Sequence, residues 1–186
     1  KGNLGLGHSR LSIIDLSGSS QPVYNEDKSI CVVFNGEIFN YIELREMLQG
    51  KGHRFYTTGD TETIVHAYEE YGADFVDHLN GQFAIALWDV KRRELILARD
   101  RVGILPLYYS LLNDGSFIFA SEMKGILASK LISPEIDFEG VNQVFSLWVN
   151  IPPRTVFKGI NELAPGKMLT ISEAGIKERR YWGYTF

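Results

Sequence analysis

The sequence has one cysteine, Cys31, in 186 residues, which excludes an internal disulfide. Its histidines, at 8, 53, 66 and 78, have no mutual metal spacing and none is paired with a plausible nucleophile in sequence, so they read as surface or core residues and no metal is expected. Long hydrophobic runs are missing too. The longest, such as Phe83 to Trp88, falls far short of the roughly 20 apolar residues of a spanning helix. Nor does one sign of charge dominate: 19 Lys and Arg against 23 Asp and Glu leave −4. That field is too weak to hold nucleic acid or an anionic membrane, and the aromatics are not interleaved with basic residues. No signal-peptide pattern opens the chain, so a reducing, cytoplasmic setting is the default reading. What remains is an ordinary globular composition, 45% apolar and 23% charged. A chain of this length forms one large domain or two small ones and buries roughly 70% of its unfolded surface.

An initiator methionine is also lacking. The chain opens on Lys1-Gly2-Asn3 and ends near Tyr181-Trp182 without a closing turn or cap, which reads as an internal, N-terminally truncated piece of a longer protein. Between these ends, short apolar runs rich in Val, Ile, Phe and Tyr predict strands at Leu4–Ile14, Ile30–Phe34, Gln82–Trp88, Leu95–Arg99, Leu107–Leu112 and Phe117–Ala120. Charged or Asn-Asp-Gly tips between some of them predict hairpins, hence antiparallel pairing. Helices are predicted over Tyr41–Gln49, with Asn40 and Glu43 as a capping box and Ile42, Leu44, Met47 and Leu48 as the buried stripe. Others follow Asp60 as far as Tyr71, run through Asp74–Leu79, end at Ala128, and span Phe138–Leu147 after a cap at Asp137. The class is α+β. We expect a domain core over residues 1–150, with 151–186 completing it and leading toward a further domain.

Few residues carry chemistry by themselves. Phe34-Asn35-Gly36-Glu37 reads as a strand ending in a sharp turn before a helix. That is either plain turn chemistry or a set of amide donors able to hold an oxyanion. Asp60 and Glu62 read as a helix cap and a dipole partner, or as a receptor for a ligand's ammonium group. Arg10, inside a β-run, needs an anion: either an internal partner or a bound carboxylate. Cys31, within Ile30-Cys31-Val32-Val33, reads as an inert core thiol. Arg99-Asp100-Arg101 reads as a buried ion-pair turn. Gly2 to Gly7 is not a phosphate loop, for no lysine follows at the required spacing.

In order, the segments Gly7-His8-Ser9-Arg10-Leu11-Ser12-Ile13-Ile14-Asp15, Gln21-Pro22, Asn35-Gly36-Glu37-Ile38-Phe39-Asn40, Gly59-Asp60-Thr61-Glu62, Gly81-Gln82-Phe83-Ala84 and Ala98-Arg99-Asp100-Arg101 resemble the class II glutamine amidotransferase domain. The nearest likeness is the glutaminase half of glutamine-hydrolysing asparagine synthetases. The resemblance implies an N-terminal-nucleophile hydrolase fold, a four-layer αββα sandwich of two antiparallel sheets. It implies hydrolysis of L-glutamine to glutamate and ammonia by an N-terminal cysteine thiolate whose own α-amine is the base. On that pattern Asn35 and Gly36 form the oxyanion hole and Arg10 holds the α-carboxylate. Glu37 and Asp60 take the α-amino end, while backbone groups of Leu11 and Ile14 complete the pocket. The sequence departs from the family in beginning at Lys1, so the thiol would lie upstream and this piece alone should be inactive. It also has Leu105 where the family usually has lysine. No cofactor is implied here, and ATP and magnesium belong to a C-terminal synthetase domain of the same chain, which would use the ammonia. A homodimer, a sugar-phosphate or phosphoribosyl acceptor, and a non-catalytic scaffold domain remain open.

Overall fold

The computed structural model describes residues 4–9 and 20–185. A hairpin of β1 (Val23–Tyr24) and β2 (Ile30–Ile38) leads into α1 (Tyr41–Gly50), α2 (Thr61–Tyr71) and a 3₁₀ segment (Gly72–His78). Then come β3 (Gly81–Asp89), β4 (Glu94–Arg99), β5 (Tyr108–Leu111), β6 (Phe117–Ala120), α3 (Met123–Ala128) and α4 (Phe138–Leu147). The chain closes with β7 (Asn161–Glu162), β8 (Lys167–Ser172) and β9 (Gly175–Arg180). Among the described residues all strand pairs are antiparallel, in a six-stranded sheet ordered β1-β2-β3-β4-β8-β9 and a three-stranded one ordered β6-β5-β7.

Apolar runs mark the central strands because both faces of the large sheet are covered. Side chains alternate with period two, so Val32 and Phe34, Phe83, Ile85 and Leu87, Ile96 and Ala98 meet Leu44, Leu48, Ile64, Val65 and Phe75 on the helical side. The intervening Val33, Ala84, Ala86, Leu95 and Leu97 meet Leu107, just before β5, and Tyr109, Phe117 and Phe119 of the smaller sheet. With α3 packed against β5 and β6, the order of layers is helix, sheet, sheet, helix, as the resemblance implies. No helix among the described residues is long and apolar enough to cross a membrane.

Several local expectations change. Residues 4–9 form no strand, and Arg10 to Ile14 lie outside the described residues. β2 does not stop at Phe34 but pairs onward through Asn35, Gly36 and Glu37 to Ile38, opposite Gly81. In α1 only Leu44 and Leu48 are buried, while Ile42 and Met47 are exposed. α2 is more than a stripe: every residue from Thr61 to Tyr68 is buried, because α1, β1 and β2 all pack against it. Asn40 makes no cap bond to α1. Its amide instead bridges the 3₁₀ segment to β3, donating to His78 O at 3.0 Å and accepting from Asn80 N at 2.9 Å. Asp137 caps α4 as expected, accepting from Glu139 N and Gly140 N.

The Arg99–Arg101 turn is buried, but its pairing differs from expectation. Arg99 pairs with Glu162 at 2.7 Å. Asp100 instead accepts the backbone N–H groups of Phe83, Val102, Gly103, Ile104 and Leu105 at 2.6 to 3.3 Å. The carboxylate thus shapes the connection to β5 through amides. Leu105 serves that turn with its backbone and packs its side chain between the sheets.

Candidate functional site

The end of β2 presents an unusual run of edge donors. In an antiparallel ladder the N–H and C=O of one residue point to the same side, and successive residues alternate. Phe83 directs its N–H and C=O toward Asp100, so its partner Gly36 turns its own N–H away from β3 toward the open edge. The outward-facing residues on either side are closed by side chains. The Gln21 amide accepts Phe34 N at 2.6 Å and donates to Phe34 O at 2.8 Å, and Asp60 Oδ2 accepts Ile38 N at 3.0 Å. Between these caps the Gly36 N–H has no acceptor among the described residues.

Glycine is required here. Gly36 has φ +141°, and a Cβ would fall 2.0 Å from the Gln82 carbonyl oxygen. Gly81 meets the same constraint from the other strand, where a Cβ would stand 2.2 Å from Glu37 O. Both small residues let β2 and β3 run together to their ends. Asn35 and Glu37 share the face of Val33, opposite Ala84 and Gln82. Among the described residues the Asn35 amide makes no hydrogen bond and the Glu37 carboxylate no ion pair, and both are only half buried. Leu6, in the segment preceding Arg10, packs against the cluster that contains Val33 and Ala84. That cluster shares the sheet face of Asn35.

Asp60 is only 7% exposed and makes no cap bond to α2. Its carboxylate serves the strand edge, while its backbone oxygen takes the Thr63 N–H and hydroxyl. The loop before it is clamped twice. Arg45 donates to Thr57 O and Gly59 O, each at 2.7 Å, and stacks on Phe55 with 4.4 Å to the ring centre. Buried Glu62 accepts Tyr56 N at 2.8 Å, Thr57 N at 2.7 Å and the Thr57 hydroxyl at 2.6 Å. Burial works to raise the Glu62 carboxyl, but His66, the Thr57 hydroxyl and the backbone donors outweigh it and hold the group below the usual range.

Asn35, Gly36, Glu37 and Asp60 are therefore brought to one place, the last through its bond to β2, whereas Arg10, Leu11 and Ile14 lie outside the described residues. The site offers a backbone donor, a side-chain amide and two carboxylates, one fixed and one free. Such donors suit an oxyanion, and such carboxylates suit a ligand's ammonium group. Cys31 is buried within β2 opposite Trp88, and burial pushes its thiol above the ordinary value. It is not the nucleophile. Arg45 escaped the sequence reading, and Glu62, read there as a dipole partner or ammonium receptor, instead clamps the Asp60 loop through Tyr56 and Thr57.

The glutamine amidotransferase domain family matches residues 1–182. Among curated proteins the chain is 43% identical over 180 residues to asparagine synthetase (glutamine-hydrolyzing) 3 of Bacillus subtilis, covering 95% of this chain and 29% of that one. It is 51% identical over 121 residues to asparagine synthetase (glutamine-hydrolyzing) 2 of Oryza sativa, covering 65% and 20%. It is 42% identical over 182 residues to amidase chyE of Penicillium rubens, covering 96% and 26%. The chain thus spans less than a third of the length of these relatives. Among solved structures, the glutamine phosphoribosylpyrophosphate amidotransferase of B. subtilis, complexed with ADP and GMP, superposes with a TM-score of 0.59 at 22% identity, over 87% of this chain and 32% of that one. At that identity the likeness shows a shared fold.

Proposed function

The chain belongs to the glutamine amidotransferase domain family, and from that membership we propose that it hydrolyses L-glutamine to glutamate and ammonia within a longer asparagine-forming enzyme. The observation that carries the reading is the Gly36 N–H on the β2 edge, unpaired among the described residues, with Asn35 as its neighbour in the strand. An N-terminal cysteine outside these 186 residues supplies the thiolate. It attacks the side-chain amide carbon, and the negative charge passes to the carbonyl oxygen, where Asn35 and Gly36 stabilise it. The cysteine's α-amine, which took the thiol proton, passes it to the amide nitrogen, so collapse expels ammonia and leaves a thioester, which water cleaves to glutamate and free thiol. Asp60 and Glu37 receive the α-ammonium group. Arg10 takes the α-carboxylate, with Leu11 and Ile14 backbone groups around it. Opposite charges held at a fixed distance from the oxyanion hole select an amino acid with glutamine's reach.

Ammonia would pass to the rest of the longer protein, whose own residues would hold the ATP and magnesium needed to activate aspartate. Around α4, Phe138, Phe145 and Trp148 are 81%, 84% and 90% exposed, and Leu147, Val149 and Ile151 continue the apolar face. Patches of this kind mark interfaces. Since the relatives are more than three times longer, the remainder of the same polypeptide is its occupant. The likeness to an amidase supports a second reading, in which the domain serves another reaction. Supplying the intact protein with glutamine, aspartate and ATP separates them. Asparagine formed with glutamate supports the first reading. Glutamate without asparagine supports the second.

A further inference from the structure

Four side chains that the glutamine site does not use converge beyond α2. Glu26 lies in the β1–β2 turn, His53 in the connection after α1, and His66 and Glu69 three residues apart on α2. One ligand atom from each lies within 4.8 Å of all the others. His66 Nδ1 is 2.8 Å from Glu69 Oε2 and 3.7 Å from Glu26 Oε2, and His53 Nδ1 is 3.4 Å from Glu69 Oε2. Around a tetrahedral zinc with bonds of roughly 2.0–2.1 Å, ligand atoms stand about 3.4 Å apart. The observed separations bracket that value.

The far oxygens of both carboxylates are also held, as the outer partners of metal ligands are, and each imidazole's far nitrogen faces a further carboxylate. Arg54 N donates to Glu26 Oε1 at 2.9 Å, and Asn25 Nδ2 to Glu69 Oε1 at 2.7 Å. His66 Nε2 faces Glu62 Oε1 at 3.5 Å, an electrostatic contact rather than a hydrogen bond. His53 Nε2 faces Glu70 Oε2 at 3.6 Å, and Glu70 is itself paired with Lys51. The rings of His53 and His66 stand 5.0 Å apart at 44°, and one ring nitrogen of each lies within 4.8 Å of the other. Glu26, Glu62 and Glu69 place three carboxylates against two imidazoles, a balance that a dication offsets. His66 is fully buried, whereas Glu26 is 41% exposed and leaves an entry path.

We propose that Glu26, His53, His66 and Glu69 form a structural site for a divalent transition ion, zinc by the chemistry of the donors. Four protein ligands close the coordination sphere, so the ion ties the β1–β2 turn and the α1–α2 connection to α2 and does no chemistry. Through Glu62 and Thr57 it also steadies the loop that carries Asp60. The test uses the intact protein, stripped with chelator and titrated with Zn²⁺ alone by calorimetry. His53→Asn and Glu26→Gln, both at partly exposed positions, serve as variants whose folding is checked by circular dichroism. We expect one ion per chain attributable to this cluster, a raised Tm with zinc, and affinity at least about 10-fold weaker in each folded variant. Co²⁺ should give the visible absorption of a tetrahedral site, lost in both variants. The absence of stoichiometric zinc binding, or binding and Tm shifts that are the same in both variants as in the wild type, overturns the proposal.

Discussion

Asp60 Oδ2 accepts the Ile38 N–H at 3.0 Å, binding the loop before α2 to the end of β2. The bond holds a buried carboxylate two residues from the Gly36 N–H, so that the group proposed for the ammonium end of a substrate is fixed relative to the donors proposed for the oxyanion. In Asp60→Asn the amide oxygen can keep the strand bond while the charge is lost. The expected result is a KM for glutamine raised roughly 10- to 100-fold, the worth of a charge-assisted hydrogen bond, with kcat and Tm little changed. Steady-state kinetics with a thermal melt reads both.

Gly36→Ala acts on the fold as well as the site. Its Cβ would meet the Gln82 carbonyl at 2.0 Å, so the ends of β2 and β3 must separate. A loss of about 3 kcal/mol is expected in urea unfolding, together with loss of glutaminase activity.

The exposed face around α4 gives a prediction about coupling. In the intact protein, Phe145→Glu with Trp148→Glu should leave glutamate release intact but lower the asparagine formed per glutamate. Comparing the two products in one reaction measures this. An unchanged ratio would place the interface elsewhere.

Stability should fall in alkali. Tyr68 and Tyr181 are pushed above the ordinary phenol value first by burial and then by the nearby charges of Asp89 and Asp100. The folded state therefore holds these protons more tightly than the unfolded chain. Their contribution is complete below about pH 10 and is lost as pH rises beyond it, by about 1.4 kcal/mol per pH unit for each phenol. Urea midpoints from pH 8 to 11.5 should show the decline. Tyr181→Phe, which also gives up the bond to Arg99 O, should show a shallower slope from a lower start.

The strands were legible because short, continuous apolar runs between turn signals leave few alternatives for β2, β3 and β4, whereas the four layers were implied by the family resemblance. The helix starts were less so. Asp137 is free to cap α4, whereas Asp60 is claimed by the edge of β2 and Asn40 by the 3₁₀ segment, neither of which is near in sequence. Gly36 suggested a turn because glycine usually marks one. Here it allows close approach within a continuing ladder. Of the candidate site, Asn35, Gly36, Glu37 and Asp60 were named from the sequence and Glu62 was named in another role, but the Arg45 clamp depends on a contact between α1 and the loop before α2. The same is true of the histidine–glutamate cluster: His66 and Glu69 are helix neighbours, but Glu26 and His53 arrive from separate connections.

The central claim is most directly tested by glutamate release from L-glutamine, measured for the intact protein and for Asn35→Ala. The Asn35 amide makes no hydrogen bond among the described residues, so its removal should spare the fold. The account predicts release by the wild type, a kcat lower by roughly 100-fold in the variant, and little change in KM. No release by the wild type, or an unchanged kcat in Asn35→Ala, would contradict it.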